Sequence, residues 1–256
     1  MINAEYESRN KRVDVLGVGF DDISMEQAVL QACEMIKGNS KAYAVTPNPE
    51  IVLMARSNEQ LKNALNGADL VLPDGIGIIH GARILGKPLE SGRVPGIDFA
   101  SALFEKMTQF GGSLYLFGAK PGVAAEAGEK LKDKYPGLKI AGTSDGYFDD
   151  DNHIIESINK AQPDLLLVCL GSPKQELWMA ANIGLLDAKL CAGLGGSLDI
   201  FAGRIKRAPI IFRKLGFEWL YRVIREPRRI KRIFKLPIFI LILVINKMRG
   251  ISKWGS

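Results

Sequence analysis

Thr46, Asn48 and Asp74 each stand one to three residues beyond an apolar run. Ala42-Tyr43-Ala44-Val45 gives way to Thr46-Pro47-Asn48-Pro49-Glu50, and Leu70-Val71-Leu72 gives way to Pro73-Asp74-Gly75. In a sheet that alternates with helices, ligands sit outside the carboxyl ends of the strands. Polar side chains at those ends are therefore placed to act on a bound molecule. Asp74 is the carboxylate of the three, and a carboxylate can take a proton from a hydroxyl as general base. Rival chemistries are thinly supplied. The chain has two histidines; His80 reads as packed in an apolar stretch, and His153, after an acidic cluster, as exposed. No Gly-x-Ser-x-Gly elbow and no paired-histidine metal motif occurs.

Three further segments carry polar groups with two readings each. Gly92-Arg93-Val94-Pro95-Gly96 is a rigid turn presenting one guanidinium, either a surface residue or a contact for an anion or sugar. In Gly171-Ser172-Pro173-Lys174-Gln175-Glu176, Ser172 and Gln175 have the spacing of a capping box. Alternatively, Gln175 faces the same strand-end crevice as Asp74 and bonds a sugar. Asp149-Asp150-Asp151 matches an Asp-x-Asp metal pattern, but acidic residues at a helix start are stabilising and common, so capping is the favoured reading.

The elements that must position these groups alternate along the chain. Val13–Phe20 reads as a strand, and Ser24-Met25-Glu26-Gln27 opens a helix to about Lys37 with a capping box. Ala42–Val45 and Leu70–Leu72 are strands, and Asn48 then Pro49 has the form of an N-cap with proline at the first helical position. Ile97–Gln109 is helical. Leu114–Phe117, Leu138–Ala141, Leu165–Leu170 and Lys189–Ala192 are strands, with helices near Val123–Lys134, His153–Ala161 and Gln175–Asn182. This rhythm predicts an α/β, Rossmann-like, largely parallel sheet with helices on both faces.

Three strands of the second half end in glycine, at Gly118, Gly171 and Gly195-Gly196. Glycine lets backbone N–H groups approach a phosphate, and the next helix begins there with its positive end. Tight turns are the plain reading of any one; three in succession favour a nucleotide. The dinucleotide and P-loop fingerprints are both missing, which removes support for hydride transfer and NTP hydrolysis.

Charge divides the chain. Residues 204–256 hold 15 Lys and Arg against 2 acidic residues. Of the totals of 34 and 28, that leaves 19 basic and 26 acidic groups in residues 1–203. The expected organisation is a catalytic body, 1–203, and a basic, apolar appendage, 204–256, whose partner is anionic. Phe212–Arg225 reads as one helix interrupted after it by Pro227. Arg222, Arg225, Arg229 and Arg232 would share a cationic face if the helix continued, and arginine matches phosphate in bidentate fashion. Pro237–Ile245 is almost purely apolar but too short to span a bilayer. It fits a helix lying in the membrane interface or, alternatively, a core helix packed on the body. No nucleic-acid recognition module is visible. Cys33, Cys169 and Cys191 lack metal or disulfide spacing and read as core thiols. Met1-Ile2-Asn3-Ala4-Glu5 lacks a signal pattern, so the expected location is the cytoplasm.

At these residues the chain resembles the WecG/TagA/CpsF glycosyltransferases, glycosyltransferase family 26. The resemblance runs from about Val13 into the appendage. It rests on Thr46–Glu50, Pro73–Gly75, Gly92–Gly96, Gly171–Glu176 and Gly193-Leu194-Gly195-Gly196-Ser197. It implies an inverting, metal-independent enzyme without cofactor. Such an enzyme moves N-acetylmannosamine from its UDP donor to the 4-hydroxyl of N-acetylglucosaminyl-diphospho-undecaprenol. By motif, Asp74 matches the base, and Thr46, Asn48, Arg93 and Gln175 match the other active-site polar residues. Arg222, Arg229 and Arg232 match arginines near the diphosphate, in an appendage that closes over the site at the inner face of the membrane. Gly118, Gly171, Gly195 and Gly196 then suit UDP, with Tyr147 and Asp199 as neighbours of the base or ribose. The donor sugar stays open among related UDP-hexoses, as does a non-catalytic nucleotide-binding module recruited to the membrane. The oligomeric state is open between a self-associated body and a monomer with its appendage docked.

Overall fold

The apolar runs become strands because a parallel sheet covered by helices on both sides buries both faces of every strand. The structure, a computed structural model, describes residues 12–38, 41–214, 216, 218–225, 235–248 and 250. The chain opens with β1 (Arg12–Val15) and β2 (Val18–Asp21), an antiparallel hairpin. The expected single strand Val13–Phe20 is thus two. Leu16 and Gly17 both take positive φ, 59° and 91°, the pattern of a two-residue turn matched to strand twist. The hairpin is stitched to the main sheet by Asp21, whose carboxylate pairs with Arg12 at 3.0 Å and accepts from the Val71 N–H at 2.7 Å.

Next come α1 (Met25–Lys37), β3 (Ala42–Val45), α2 (Pro49–Ala55), α3 (Glu59–Asn66), β4 (Leu70–Val71), α4 (Ile76–Ile84) and α5 (Gly96–Thr108). Ser24 and Gln27 form the expected capping box on α1, and Asn58 caps α3, a helix the sequence reading did not single out. The second half contains β5 (Ser113–Gly118), α6 (Val123–Lys134), β6 (Lys139–Ser144), α7 (Asp151–Ala161), β7 (Leu165–Cys169), α8 (Lys174–Asn182), β8 (Leu190–Gly193) and α9 (Ser197–Phe201). Asp150 caps α7 by accepting from the Asn152 N–H.

Six strands form one parallel sheet in the order β4-β3-β8-β7-β5-β6. Alternation splits its side chains between two cores. Tyr43, Val45, Val71, Phe117, Leu166 and Val168 face α2, α3, α4, α7 and α8; Ala44, Leu70, Leu116, Leu167 and Ala192 face α1, α5, α6 and α9. This is the Rossmann-like α/β arrangement the sequence predicts. The three cysteines are buried and unpaired.

The appendage departs from its expected form. Instead of one helix over Phe212–Arg225 there are two, α10 (Ile210–Lys214) and α11 (Glu218–Arg225). Gly216 lies between them with φ 76°, seated on Ile76 so closely that a Cβ there would lie 2.8 Å from that residue's Cβ. The rings of Phe212 and Tyr221 join α10 to α11 with centroids 5.6 Å apart. The last helix among the described residues, α12 (Lys235–Met248), packs on the body, the second reading of the apolar run. Phe239 and Leu243 are 0% exposed, packed into a notch on α4 where Gly81 has no side chain. Ile238, Leu241, Val244 and Met248 face outward. Among the described residues no helix is long and apolar enough to cross a membrane. Pro227, Arg229 and Arg232 lie outside the described residues.

Candidate active site

A cleft of about 240 Å³ opens at the carboxyl ends of β3, β4 and β8. Its walls come from segments far apart in sequence. Thr46 and Asn48 follow β3; Asp74 and Gly75 follow β4; Arg93 precedes α5, which Gly96 and Ile97 open; Leu194 and Ser197 follow β8. The appendage adds Gly216, Glu218, Val223, Lys235 and Leu236.

Each polar group is held by its own backbone context. Thr46 Oγ1 donates to the Gly193 carbonyl at 3.1 Å, joining the ends of two neighbouring strands. Asn48 Oδ1 caps α2 by accepting from the Glu50 and Ile51 N–H groups at 2.9 and 3.2 Å. Its carbonyl is engaged in the cap, and its amide N–H groups supply the chemistry that remains. Asp74 sits in the bend between β4 and α4. The Val94 N–H donates to the Pro73 carbonyl at 3.0 Å and ties this bend to the Arg93 turn. Gly75, with φ 94°, turns the chain into α4 beside Asn48 and Pro49. Both α4 and α5 begin in the cleft wall, so the positive ends of two helices add to its tolerance for an anion.

Charge in the cleft is mixed: Glu50, Asp74 and Glu218 against Arg93 and Lys235. Lys235 Nζ pairs with Glu50 Oε1 at 2.6 Å. Arg93 donates to the Arg213 carbonyl at 2.7 Å, which ties the turn before α5 to α10. Arg207 holds Asp98, in the first turn of α5, through two bonds of 2.6 and 2.7 Å and lies 3.5 Å from Glu218. Burial would raise the Asp98 carboxyl, but the bidentate bond and charge of Arg207, with Arg213 and Arg93 nearby, hold it below the usual carboxylate value. The same pairing overcomes burial at Arg207 and pushes it up.

The cleft brings together four of the five expected active-site residues, Thr46, Asn48, Asp74 and Arg93. Gln175 stands behind the wall. It is 3% exposed, accepts from the Gly195 N–H at 2.9 Å and donates to Glu176 at 2.8 Å. Ser172 does not cap α8; its hydroxyl donates to Glu176 Oε1 at 2.7 Å and the cap position falls on Pro173. The expected nucleotide positions run along the same sheet edge beyond the cleft. Gly171, Gly195 and Gly196 have open space where a Cβ would point, whereas a Cβ on Gly118 would lie 2.3 Å from the Cys169 carbonyl oxygen. Strand packing alone demands glycine there. Tyr147 is exposed beyond β6, and Asp199 lies on α9 with its carbonyl accepting from Arg204 and Ile205. Arg222 precedes the cleft residue Val223 on α11. His80 is exposed, contrary to the packed reading, because α4 buries Ile78, Ile79 and Ala82 instead; His153 is exposed as read. Asp151 accepts from the Trp178 indole at 2.8 Å, and no group of metal-binding side chains occurs among the described residues.

Three charged cleft residues, Glu50, Glu218 and Lys235, escaped the sequence reading. Glu50 ends the Thr46–Glu50 segment and stands in the first turn of α2, where an acid is common whatever its function. Lys235 was one of several cations in a basic run, with no spacing to separate it from the rest.

The model of the "Glycosyl transferase WecG/TagA/CpsF family" matches residues 13–253. A Bacillus spizizenii protein named N-acetylglucosaminyldiphosphoundecaprenol N-acetyl-beta-D-mannosaminyltransferase is 39% identical over 202 residues, 79% of this chain and 78% of its own. A protein of the same name from Staphylococcus aureus strain MRSA252 is 35% identical over 245 residues, 93% of this chain and 94% of its own.

Proposed function

This chain belongs to the WecG/TagA/CpsF glycosyltransferase family, and from that premise we propose that it transfers N-acetylmannosamine from UDP-N-acetylmannosamine to the 4-hydroxyl of N-acetylglucosaminyl-diphospho-undecaprenol, inverting the anomeric carbon. The observation that carries the reading is one cleft that gathers Asp74, Thr46, Asn48 and Arg93 from separate loops. Asp74 takes the proton of the acceptor hydroxyl as its oxygen attacks the anomeric carbon, and the bond to UDP breaks with its electron pair on the leaving phosphate. Asn48 and Thr46 orient the sugars. Arg93 and Lys235 face the negative charge that grows on the leaving diphosphate, a role that fixed cations fill well in a partly closed site. By motif, Arg222, Arg229 and Arg232 are assigned to the same diphosphate. UDP lies along the open Gly171, Gly195 and Gly196 loops toward Tyr147 and Asp199.

The acceptor's lipid places the work at a membrane surface. We assign the basic appendage beyond Gly203 to that surface. Its exposed Ile210, Ile211, Ile224, Ile238, Leu241, Val244 and Met248 give apolar area for an interface, and its charge suits anionic headgroups. The intact protein is expected to sediment with anionic vesicles and to be released by salt.

The test is transfer to a short-chain analogue of the diphosphate-linked acceptor, read by mass spectrometry over a panel of UDP-hexoses. Asp74→Asn should lower kcat by about 10²–10⁴-fold while leaving the melting curve in place. Normal turnover by that variant would remove Asp74 as base. Transfer should survive EDTA; activity lost to EDTA and restored by Mg²⁺ or Mn²⁺ would return Asp149 and Asp151 to consideration.

A further inference from the structure

Glu176 is a buried acid without a cation. It is 1% exposed in the first turn of α8. Asp21, the comparably buried acid of the hairpin, is paired with Arg12. Glu176 instead accepts two neutral donors on one oxygen, Ser172 Oγ at 2.7 Å and Gln175 Nε2 at 2.8 Å. Its Oε2 has no hydrogen-bond partner among the described residues. The ammonium of Lys174, two residues earlier, lies over the Phe148 ring at 4.0 Å. A buried carboxyl in this state is costly, so its presence asks for a use other than stability.

The neighbouring amide supplies one. A glutamine side chain offers a donor end and an acceptor end, and only its partners decide which end points where. Gln175 turns its oxygen to the Gly195 N–H at 2.9 Å and its nitrogen to Glu176. Reversed, it would set oxygen against Glu176 Oε1 and N–H against N–H at Gly195. Glu176 Oε1 already accepts from Ser172, so it stands as an acceptor and rejects the reversed amide. Gly195 belongs to the loop between β8 and α9; Leu194 of that loop and Ser197 at the start of α9 line the cleft, and the carbonyl of Gly193, the last residue of β8, receives Thr46. The space is tight: a Cβ on Gly193 would lie 2.6 Å from Met179 Cε and 3.2 Å from Gln175 Nε2.

We propose that Glu176 is a positioning residue for sugar transfer: it holds the Gln175 amide in the one orientation that binds the Gly195 N–H, and so sets the β8–α9 wall of the cleft. The effect on transfer rests on the function proposed above; the effect on the loop does not.

Two variants separate the acceptor from the charge. Glu176→Met keeps the volume and removes the acceptor, whereas Glu176→Gln keeps an acceptor oxygen. Exchange of the Gly195 amide, followed by NMR on the intact protein, should be about tenfold faster in Glu176→Met, as expected for one lost hydrogen bond, and near native in Glu176→Gln. In the transfer assay kcat should fall about tenfold in Glu176→Met and be largely recovered in Glu176→Gln. Adding Gln175→Met to Glu176→Met should cost little more, since both act through one bond. Unchanged Gly195 exchange in Glu176→Met, equal damage in both variants, or additive losses in the double variant would each overturn the proposal. Should Glu176→Met not fold, Glu176→Leu combined with Ser172→Ala removes the acceptor together with its other donor: faster Gly195 exchange than in Glu176→Gln supports the relay and native exchange overturns it. Absence of transfer by the native protein would sink the proposed function, while Gly195 exchange would still decide the relay.

Discussion

Replacing Phe239 by alanine should release α12 from the body while the body stays folded. The helix is anchored by two side chains with no exposed surface, Phe239 and Leu243, set against Gly81. Full burial of such a side chain contributes about 1.5–3 kcal/mol, so the two together supply about 3–6 kcal/mol. The Lys235–Glu50 pair is partly exposed and adds no more than about 1 kcal/mol. Cutting phenylalanine back to alanine in a packed site costs about 3–5 kcal/mol, a loss as large as most of what holds the helix down. Amides of residues 235–248 should then exchange about a hundredfold faster or more. Amides of β3, β7 and β8 should keep their native rates. Leu241→Ala, on the outward face, should change nothing beyond about 0.5 kcal/mol. Hydrogen exchange read by mass spectrometry resolves all three regions. A variant in which α12 stays protected, or in which strands and helix lose protection together, would refute this account of the appendage as a separately docked helix.

Lys235→Met should leave the melting temperature nearly unchanged, because its ion pair is partly solvated, yet lower kcat/KM for transfer about tenfold; an unchanged kcat/KM at low salt would remove Lys235 from the diphosphate. Asp98→Asn should destabilise the protein by about 1 kcal/mol at neutral pH, a modest figure for a partly exposed pair. The folded Asp98 carboxyl titrates below its usual 3.8, so the native advantage is present above that value and fades as the pH falls through the folded value; urea melts of both proteins across that range measure it. Glu176 runs the other way, since burial, only partly offset by the Ser172 and Gln175 bonds, raises it above 4.5. Between 4.5 and the folded value the unfolded chain releases a proton that the native protein retains, and native stability falls as pH rises. Glu176→Gln removes that slope, so its stability relative to native should improve from acid to neutral pH in the same melts.

The strands were legible because each is a short apolar run bounded by turn residues, and the polar groups beyond their ends, Thr46, Asn48 and Asp74, were legible with them. The hairpin was not: Val13–Phe20 reads as one strand unless Leu16 is allowed a positive φ, which its type discourages. The spacing of Ser172 and Gln175 spells a capping box, with a crevice contact for Gln175 as its alternative, and the structure spends the two on Glu176 and Gly195 instead. Periodicity could not foresee the break at Gly216, because the break depends on Ile76, a residue about 140 positions earlier that it must clear. Lys235 was hidden among like charges for the same reason. Which cation of a basic run enters a cleft is decided by how α12 seats on α4.

The bond from Thr46 to the Gly193 carbonyl spans 147 residues. Thr46 leaves the ribosome well before the strand it leans on, because β8 is the last strand among the described residues and yet lies beside β3. Until β8 arrives, β3 presents an open edge on that side, and edges of that kind invite pairing with other chains. Long-range parallel pairing of this sort is also slow to form. The cleft therefore belongs to the finished chain alone. A fragment ending between about residues 97 and 193 carries Thr46, Asn48, Asp74 and Arg93 and lacks the β8 wall of the cleft that gathers them.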